Sequence, residues 1–105
     1  MTKQEAIDKY LGSPFMELWV VTNQLENSIE GTELWNLYPN YEDALRWINL
    51  SEEFYKNVST YYKEVERTYD ESGMLTRFVM EHRSLGEAFT VKDTFIIEKH
   101  SLIGS

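Results

Sequence analysis

Apolar residues recur with a helical period in the middle of this chain and with other spacings on either side of it. From residue 44 to residue 58 the positions of this stripe stand three and four apart, at Ala44, Trp47, Ile48, Ser51, Phe54 or Tyr55, and Val58, all apolar except Ser51. The opposite stripe is polar and consists of Glu42, Arg46, Asn49 and Glu53. Asn40 precedes the first turn, where its side chain can accept a hydrogen bond from the backbone N–H of Asp43. We therefore predict an amphipathic helix at about residues 41–56.

The segments around this helix have the composition and spacing of β-strands. Residues 15–22 are apolar or β-branched except for Glu17, and residues 32–38 resume this character after a polar stretch at 23–31 that predicts a turn. Beyond the helix, three segments alternate in character, at 59–69, 74–83 and 89–99, with turn sequences at 70–73 and 84–87 between them. This pattern predicts two strands before the helix and a three-strand antiparallel meander after it.

An N-terminal helix is predicted over about residues 3–11. Thr2 and Glu5 have the spacing of a capping box, and Gly12 can end the helix in the left-handed conformation. With this element the fold class is α+β: a single domain over residues 1–105, with two helices packed on an antiparallel sheet of about five strands, in the order α-β-β-α-β-β-β. The expected core is formed by Val20, Leu45, Ile48, Val65, Phe78, Val91, Phe95 and Ile97.

The sequence lacks the motifs of the common enzyme classes. It contains no cysteine, and its five glycines form no phosphate-binding loop. The two histidines, His82 and His100, fall on neighbouring predicted strands and are expected on a solvated sheet face, without a metal. Glu17 is expected at an exposed edge. We therefore expect no enzyme activity, no cofactor and no metal site.

The chain shows no targeting or membrane signal. Its N-terminus is polar, and its longest apolar run, residues 18–21, is far shorter than the ~20 residues that cross a bilayer. A cytoplasmic protein is the expectation. The terminal Gly104 and Ser105 fit either a native tail or a remnant of cloning.

Negative charge is concentrated in the first half of the chain. Residues 10–55 hold eight carboxylates, a single cation (Arg46) and all three tryptophans, within a chain of net charge −8. Direct binding of nucleic acid is disfavoured, because such binding depends on lysine and arginine that neutralise phosphates. A protein with a basic surface is the better electrostatic partner.

The predicted partner-binding surface combines carboxylates with one aromatic anchor. Its members are Glu30, Glu33, Trp35, Glu42, Asp43, Glu52 and Glu53. Glu42 and Asp43 lie in the first helical turn, where the helix dipole favours acids, whereas Glu52 and Glu53 lie near the predicted C-terminal end, where it disfavours them. Both pairs are predicted to face water. The unfavourable position of the second pair indicates a role other than helix stability.

In size, acidity and lack of cysteine the chain resembles phage and mobile-element inhibitors of host defence, including anti-CRISPR proteins; the resemblance involves no sequence motif. It implies a non-enzymatic inhibitor that mimics nucleic acid and binds the basic surface of a nucleic-acid-binding host defence protein. Two alternatives stand beside this hypothesis. One is a small-molecule-binding or catalytic α+β domain whose aromatic pocket has Glu17 at its wall. The other is a structural subunit of a homo-oligomer.

Overall fold

Five strands and one helix make up the described part of the structure, a computed structural model that describes Glu5, residues 17–26 and residues 33–101. The elements are β1 (Glu17–Glu26), β2 (Glu33–Tyr38), α1 (Tyr41–Val58), β3 (Ser59–Tyr69), β4 (Leu75–Ser84) and β5 (Val91–Ser101). The predicted helix at residues 3–11 lies outside the described residues, except for Glu5, which is helical.

The strands form one antiparallel sheet in the order β2-β1-β5-β4-β3. The predicted α+β domain with a five-strand antiparallel sheet is therefore confirmed. The two strands next to α1 along the chain, β2 and β3, lie at opposite edges of the sheet. The helix must consequently cross the sheet to connect them, and it packs on the face between the two edges.

Strand β1 is buried on both faces, as its nearly continuous apolar run predicts. Val21 faces α1 and joins a core with Ile48 and Phe95, whereas Leu18 and Val20 are buried on the opposite face. The strand extends to Glu26, so the prediction of a turn from residue 23 is wrong. The continuation is stable because residues 23–26 still pair with β5, where Asn23 lies opposite Phe95.

The amphipathic helix is confirmed and runs two residues beyond its predicted end. Asn40 caps it: its Oδ1 accepts a hydrogen bond from the backbone N–H of Asp43 at 2.8 Å. Ala44 and Ile48 are fully buried against the sheet, at 0% and 1% exposure. The four residues of the predicted polar stripe are all exposed.

The meander after α1 is also confirmed, with one error in the predicted core. Of the eight predicted core residues, Val20, Ile48, Phe78, Phe95 and Ile97 are buried, and Leu45 and Val91 are half-buried. Val65 is 42% exposed, so its assignment to the core is wrong. The β3–β4 register shifts between Glu64 and Glu66, which leaves Val65 unpaired in a bulge and reverses the alternation beyond it. Arg67 therefore faces α1.

Candidate functional site

The predicted partner-binding residues do not form one continuous surface. Glu30 and the side chain of Glu33 lie outside the described residues. Trp35 is half-buried on β2 and pairs with Thr22 of β1. Because side chains alternate along a strand and Val21 faces the helix, Trp35 lies on the sheet face that points away from α1. The structure thus separates Trp35 from the helical carboxylates.

Glu52 lies against the sheet, which corrects the prediction that it faces water. Its Oε2 accepts hydrogen bonds from Arg67 Nη2 at 2.5 Å and from the Tyr62 hydroxyl at 3.3 Å, and Lys56 Nζ is 3.9 Å away. Only 16% of its side chain is exposed. Burial, followed by the charge of Glu52, raises the pKa of Tyr62 to about 12. Glu52 therefore has a structural role: it joins the second half of α1 to Tyr62 and Arg67 of β3.

Glu42 and Glu53 are exposed on α1, and Asp43, next to Glu42 in the first turn, is half-buried. Since the helix continues to Val58, Glu53 precedes the last turn, outside the reach of the terminal dipole. The dipole therefore says nothing about a role for Glu53. Of the four helical acids in the prediction, Glu42, Asp43 and Glu53 keep accessible carboxylates.

A groove runs between α1 and the edge strand β2. Five residues line the α1–β2 groove, a shallow depression of about 400 Å³ that is open to solvent: Tyr38, Asp43, Arg46, Trp47 and Leu50. The four helical residues share one side of α1, because positions i, i+3, i+4 and i+7 adjoin on a helix. Tyr38, the last residue of β2, lies opposite Trp19 on the sheet face that carries the helix.

Packing and charge define the interior of the α1–β2 groove. The Trp47 ring contacts Phe95 edge to face, with 5.3 Å between centroids, so the indole is anchored on the core. Arg46 Nη1 lies 3.8 Å from Asp43 Oδ1, and the Arg46 side chain is 73% exposed. Burial, together with the negative charge of Asp43, raises the pKa of Tyr38. The groove thus combines two aromatic rings with one carboxylate.

Exposed apolar area extends from the α1–β2 groove along the helix. Leu50 is 58% exposed and Phe54, one turn further, is 56% exposed. Of the two candidates for the inner stripe, Tyr55 turns toward the sheet and Phe54 turns outward. The exposed apolar side chains near the helical carboxylates are therefore those of Leu50 and Phe54, whereas Trp35 lies on the other face of the sheet.

A second concave site, the Trp19 pocket, lies near the N-terminal end of α1 and also encloses about 400 Å³. Its lining includes Glu17, Trp19, Asp70, Ser72, Leu75 and Lys99. Glu17 is exposed, as expected, but it lies on an inner strand of the sheet and not on an edge strand, and it pairs with Lys99 at 3.1 Å. Lys99 Nζ also stands 5.8 Å from the centre of the Trp19 ring. Among the described lining residues, Trp19 is the single aromatic side chain, and Glu17 lies at the wall beside it.

A buried polar group, the Asp93 cluster, was missed by the sequence analysis; it comprises Asn23, Tyr55, His82 and Asp93. Asp93 is 1% exposed, and its carboxylate accepts a hydrogen bond from the Asn23 amide and contacts His82 Nε2 at 3.3 Å. Burial, and then the charge of Asp93, raises the pKa of Tyr55. The signal was present in the sequence, because Asp93 alternates with Phe95 as an inward position of β5.

His82 is 4% exposed, which corrects its expected location on a solvated face. His82 pairs with Val91 of β5 and lies on the sheet face that carries α1. His100 pairs with Leu18 of β1 and lies on the opposite face. The two histidines cannot share a metal ion. Within the described ranges, no set of three acidic or histidine side chains is arranged to hold one.

Comparisons with protein-family models, with curated proteins and with solved structures find no significant match. In the part of the chain that the structure describes, no helix has the length and apolar character to span a membrane. The chemistry of the side chains themselves therefore has to support any functional conclusion.

Proposed function

We propose that this chain is a non-enzymatic acidic interaction protein whose exposed α1 surface binds the basic surface of a nucleic-acid-binding protein, as an inhibitor of the phage or mobile-element anti-defence type. The observation that carries this proposal is the combination of accessible carboxylates and exposed apolar side chains on one helix. The carboxylates are those of Glu42, Asp43 and Glu53, and the apolar side chains are those of Leu50 and Phe54.

The two kinds of side chain contribute to different steps of binding. Exposed carboxylates attract a basic surface over distances up to the Debye length, about 8 Å at physiological salt, and mainly raise the association rate. Leu50 and Phe54 lose contact with water when a partner covers them, which mainly slows dissociation. Acids scattered over the surface would provide solubility alone. Acids beside exposed apolar side chains such as Leu50 and Phe54 provide a surface that a partner can bury.

The sign of the charge selects the partner. On α1 the four acids stand beside two cations, Arg46 at 3.8 Å from Asp43 and Lys56 at 3.9 Å from Glu52. Because the chain as a whole has a net charge of −8, it repels nucleic acid and attracts proteins that bind nucleic acid.

Charge reversal tests the proposal. A pull-down from host lysate at low and high salt first provides the partner, and binding kinetics then compare two variants with equal change of charge. The first is Glu42→Lys/Asp43→Lys/Glu53→Lys, and the matched control is Glu71→Lys/Glu87→Lys/Glu98→Lys, which alters three exposed acids outside α1. We expect the first to slow association about tenfold at low salt, and the control to change it far less.

The apolar part is tested with Leu50→Ala/Phe54→Ala, which should raise the dissociation rate while leaving the salt dependence of association intact. If the two charge-reversal variants have equal effects, or if binding does not respond to salt, the proposal is wrong and the acidic region serves only to keep the protein in solution.

The Trp19 pocket favours the second candidate function, binding of a small molecule. Its volume of about 400 Å³ and its mixed lining, with the Trp19 ring beside the ion pair of Glu17 and Lys99, are compatible with a small polar ligand. Native mass spectrometry of the protein purified from its host tests this function. A bound metabolite that Trp19→Ala no longer retains would favour it over the interaction protein.

A further inference from the structure

The α1–β2 groove combines aromatic side chains with a carboxylate, the groups that bind an organic cation, and one cation of the chain, Arg46, already lies at its edge. Tyr38 and Trp47 line it with aromatic side chains, and Asp43 lines it with a carboxylate side chain that is 39% exposed. The guanidinium of Arg46 approaches that carboxylate from solvent, and its Nη1 stops 3.8 Å from Oδ1. This separation exceeds the 2.7–2.9 Å typical of a charge-assisted hydrogen bond.

Arg46 reaches Asp43 from the next turn of the same helix, so its side chain must fold back along α1. A neighbouring i,i+3 pair of exposed side chains contributes little stability. A guanidinium that enters the groove from outside, in contrast, meets the carboxylate and the aromatic rings together. Burial, and then the negative charge of Asp43, raises the pKa of Tyr38, whose phenol lines the same groove.

We propose that the α1–β2 groove is a docking site for an arginine side chain of a protein partner, an inference that rests on the proposed function of the α1 surface. The guanidinium lies between the Tyr38 and Trp47 rings and donates hydrogen bonds to Asp43, displacing Arg46. The occupant is specified by charge complementarity, since the groove places a carboxylate among aromatic walls at the edge of a protein with a net charge of −8.

Arginine fits these walls better than lysine or an apolar side chain. Its planar, delocalised cation stacks on aromatic rings and donates to a carboxylate from a rigid fork, whereas an ammonium is compact and strongly hydrated. An apolar side chain would leave Asp43 without its solvent and without a partner. The exposed side chain of Leu50 borders the groove and can cover the methylene stem of the arginine.

The test uses the whole protein and capped tripeptides. Acetyl-Gly-Arg-Gly-amide is titrated and compared with its lysine and citrulline counterparts; citrulline keeps the shape of arginine without its charge. The readout is the set of three tryptophan indole N–H resonances, assigned with Trp→Phe variants. We expect a saturable shift of the Trp47 resonance with the arginine peptide, with a Kd in the ~1 mM range, and weaker shifts with the other two.

Two matched pairs of variants separate a built site from general charge. Asp43→Asn and Glu42→Gln remove the same charge from the same helical turn, but only Asp43 lines the groove. We expect Asp43→Asn to weaken arginine binding about fivefold and Glu42→Gln to change it less than about twofold. Arg46→Gln removes the internal competitor and should tighten binding, whereas Lys63→Gln, an equal change of charge on an exposed residue of β3, should not.

Each contrary result overturns the proposal in an identifiable way. The arginine site is wrong if the Trp47 resonance shows no saturable shift or if the lysine peptide binds equally well. It is also wrong if Asp43→Asn and Glu42→Gln have equal effects. If the arginine peptide fails while a basic partner still binds with the salt and charge dependence described above, the proposed function stands and the docking site alone is wrong. If the peptide binds but charge reversal on α1 leaves the partner unaffected, the proposed function is wrong instead.

Discussion

The imidazole of His82 stacks on the phenol ring of Tyr55, with 3.8 Å between ring centroids and 16° between ring planes. The stack connects β4 to α1 and covers Asp93, whose carboxylate lies between the histidine and the Asn23 amide. His82 Nε2 lies 3.3 Å from Asp93 Oδ2, within reach of a hydrogen bond. The Asp93 cluster is thus a polar connection between helix and sheet within an apolar core.

Loss of the Asn23 donor should destabilise the fold. The amide donates to Asp93 and to the backbone carbonyl of Thr94 at 3.2 Å, so Asn23→Ala leaves a buried carboxylate with one fewer donor. We expect the free energy of unfolding to fall by about 1–3 kcal/mol in urea denaturation. Asn36→Ala, at an exposed position of β2, is the matched control and should stay within about 0.5 kcal/mol of the unsubstituted protein. Equal effects would show that the cluster contributes nothing specific.

The contact between Glu52 and Tyr62 should be visible in a tyrosine titration. Burial and the charge of Glu52 raise the Tyr62 pKa to about 12, so Glu52→Gln should lower that pKa toward 10, as followed by tyrosinate absorbance. A pKa raised by folding favours the folded state below the unfolded pKa of 10, and this contribution is lost as pH rises from 10 toward about 12. Stability should therefore fall more steeply over that range in the unsubstituted protein than in Tyr62→Phe.

Glu53→Gln provides the control for this titration, because it makes the same change at the adjacent exposed position of α1. A pKa for Tyr62 that responds equally to both substitutions would contradict the contact with Glu52.

The β3–β4 turn should make stability depend on pH through Asp70. Its Oδ1 accepts hydrogen bonds from Ser72 Oγ at 2.6 Å and from the backbone N–H groups of Ser72 and Met74, and these bonds lower its pKa below 3.8. A lowered pKa means that the contribution to stability is present above pH 3.8 and disappears as pH falls through the folded value. Asp70→Ala should lower the urea midpoint at neutral pH and converge with the unsubstituted protein in strong acid. Glu71→Ala, in the same turn, should show no such convergence.

The bulge at Val65 predicts a contrast between two identical substitutions. Val65→Thr places a hydroxyl on a side chain that is 42% exposed, whereas Val21→Thr places it in a position that is 0% exposed. We expect the free energy of unfolding, measured by urea denaturation, to fall by less than about 0.5 kcal/mol for Val65→Thr and by about 1–3 kcal/mol for Val21→Thr. A large effect at Val65 would contradict the register shift between Glu64 and Glu66.

Sequence pattern predicted most of the elements because their signals are periodic and local. The candidate site was predicted only in part. Asp43 and Glu42 were correctly expected at the start of α1, but Trp35 was expected beside them. Strand pairing decides this point: Trp35 faces Thr22 on the side of the sheet away from the helix, and that register depends on β1, which comes before β2 in the chain.

The sequence by itself determined what depends on neighbours a few positions apart. The Asn40 cap of α1 is a bond over three residues, and the hairpin turns at Gly73 and Gly86 use the left-handed conformations, φ +88° and +87°, that glycine adopts readily. Only the tertiary structure decided that Glu52 packs inward while the adjacent Glu53 remains exposed. The deciding group, Arg67, lies 15 positions further along the chain, and the bulge in β3 turns it toward the helix. The helical period predicts which positions share one side of α1. Which charged group lies opposite such a position depends on the strand that packs against the helix, as Arg67 of β3 does against Glu52.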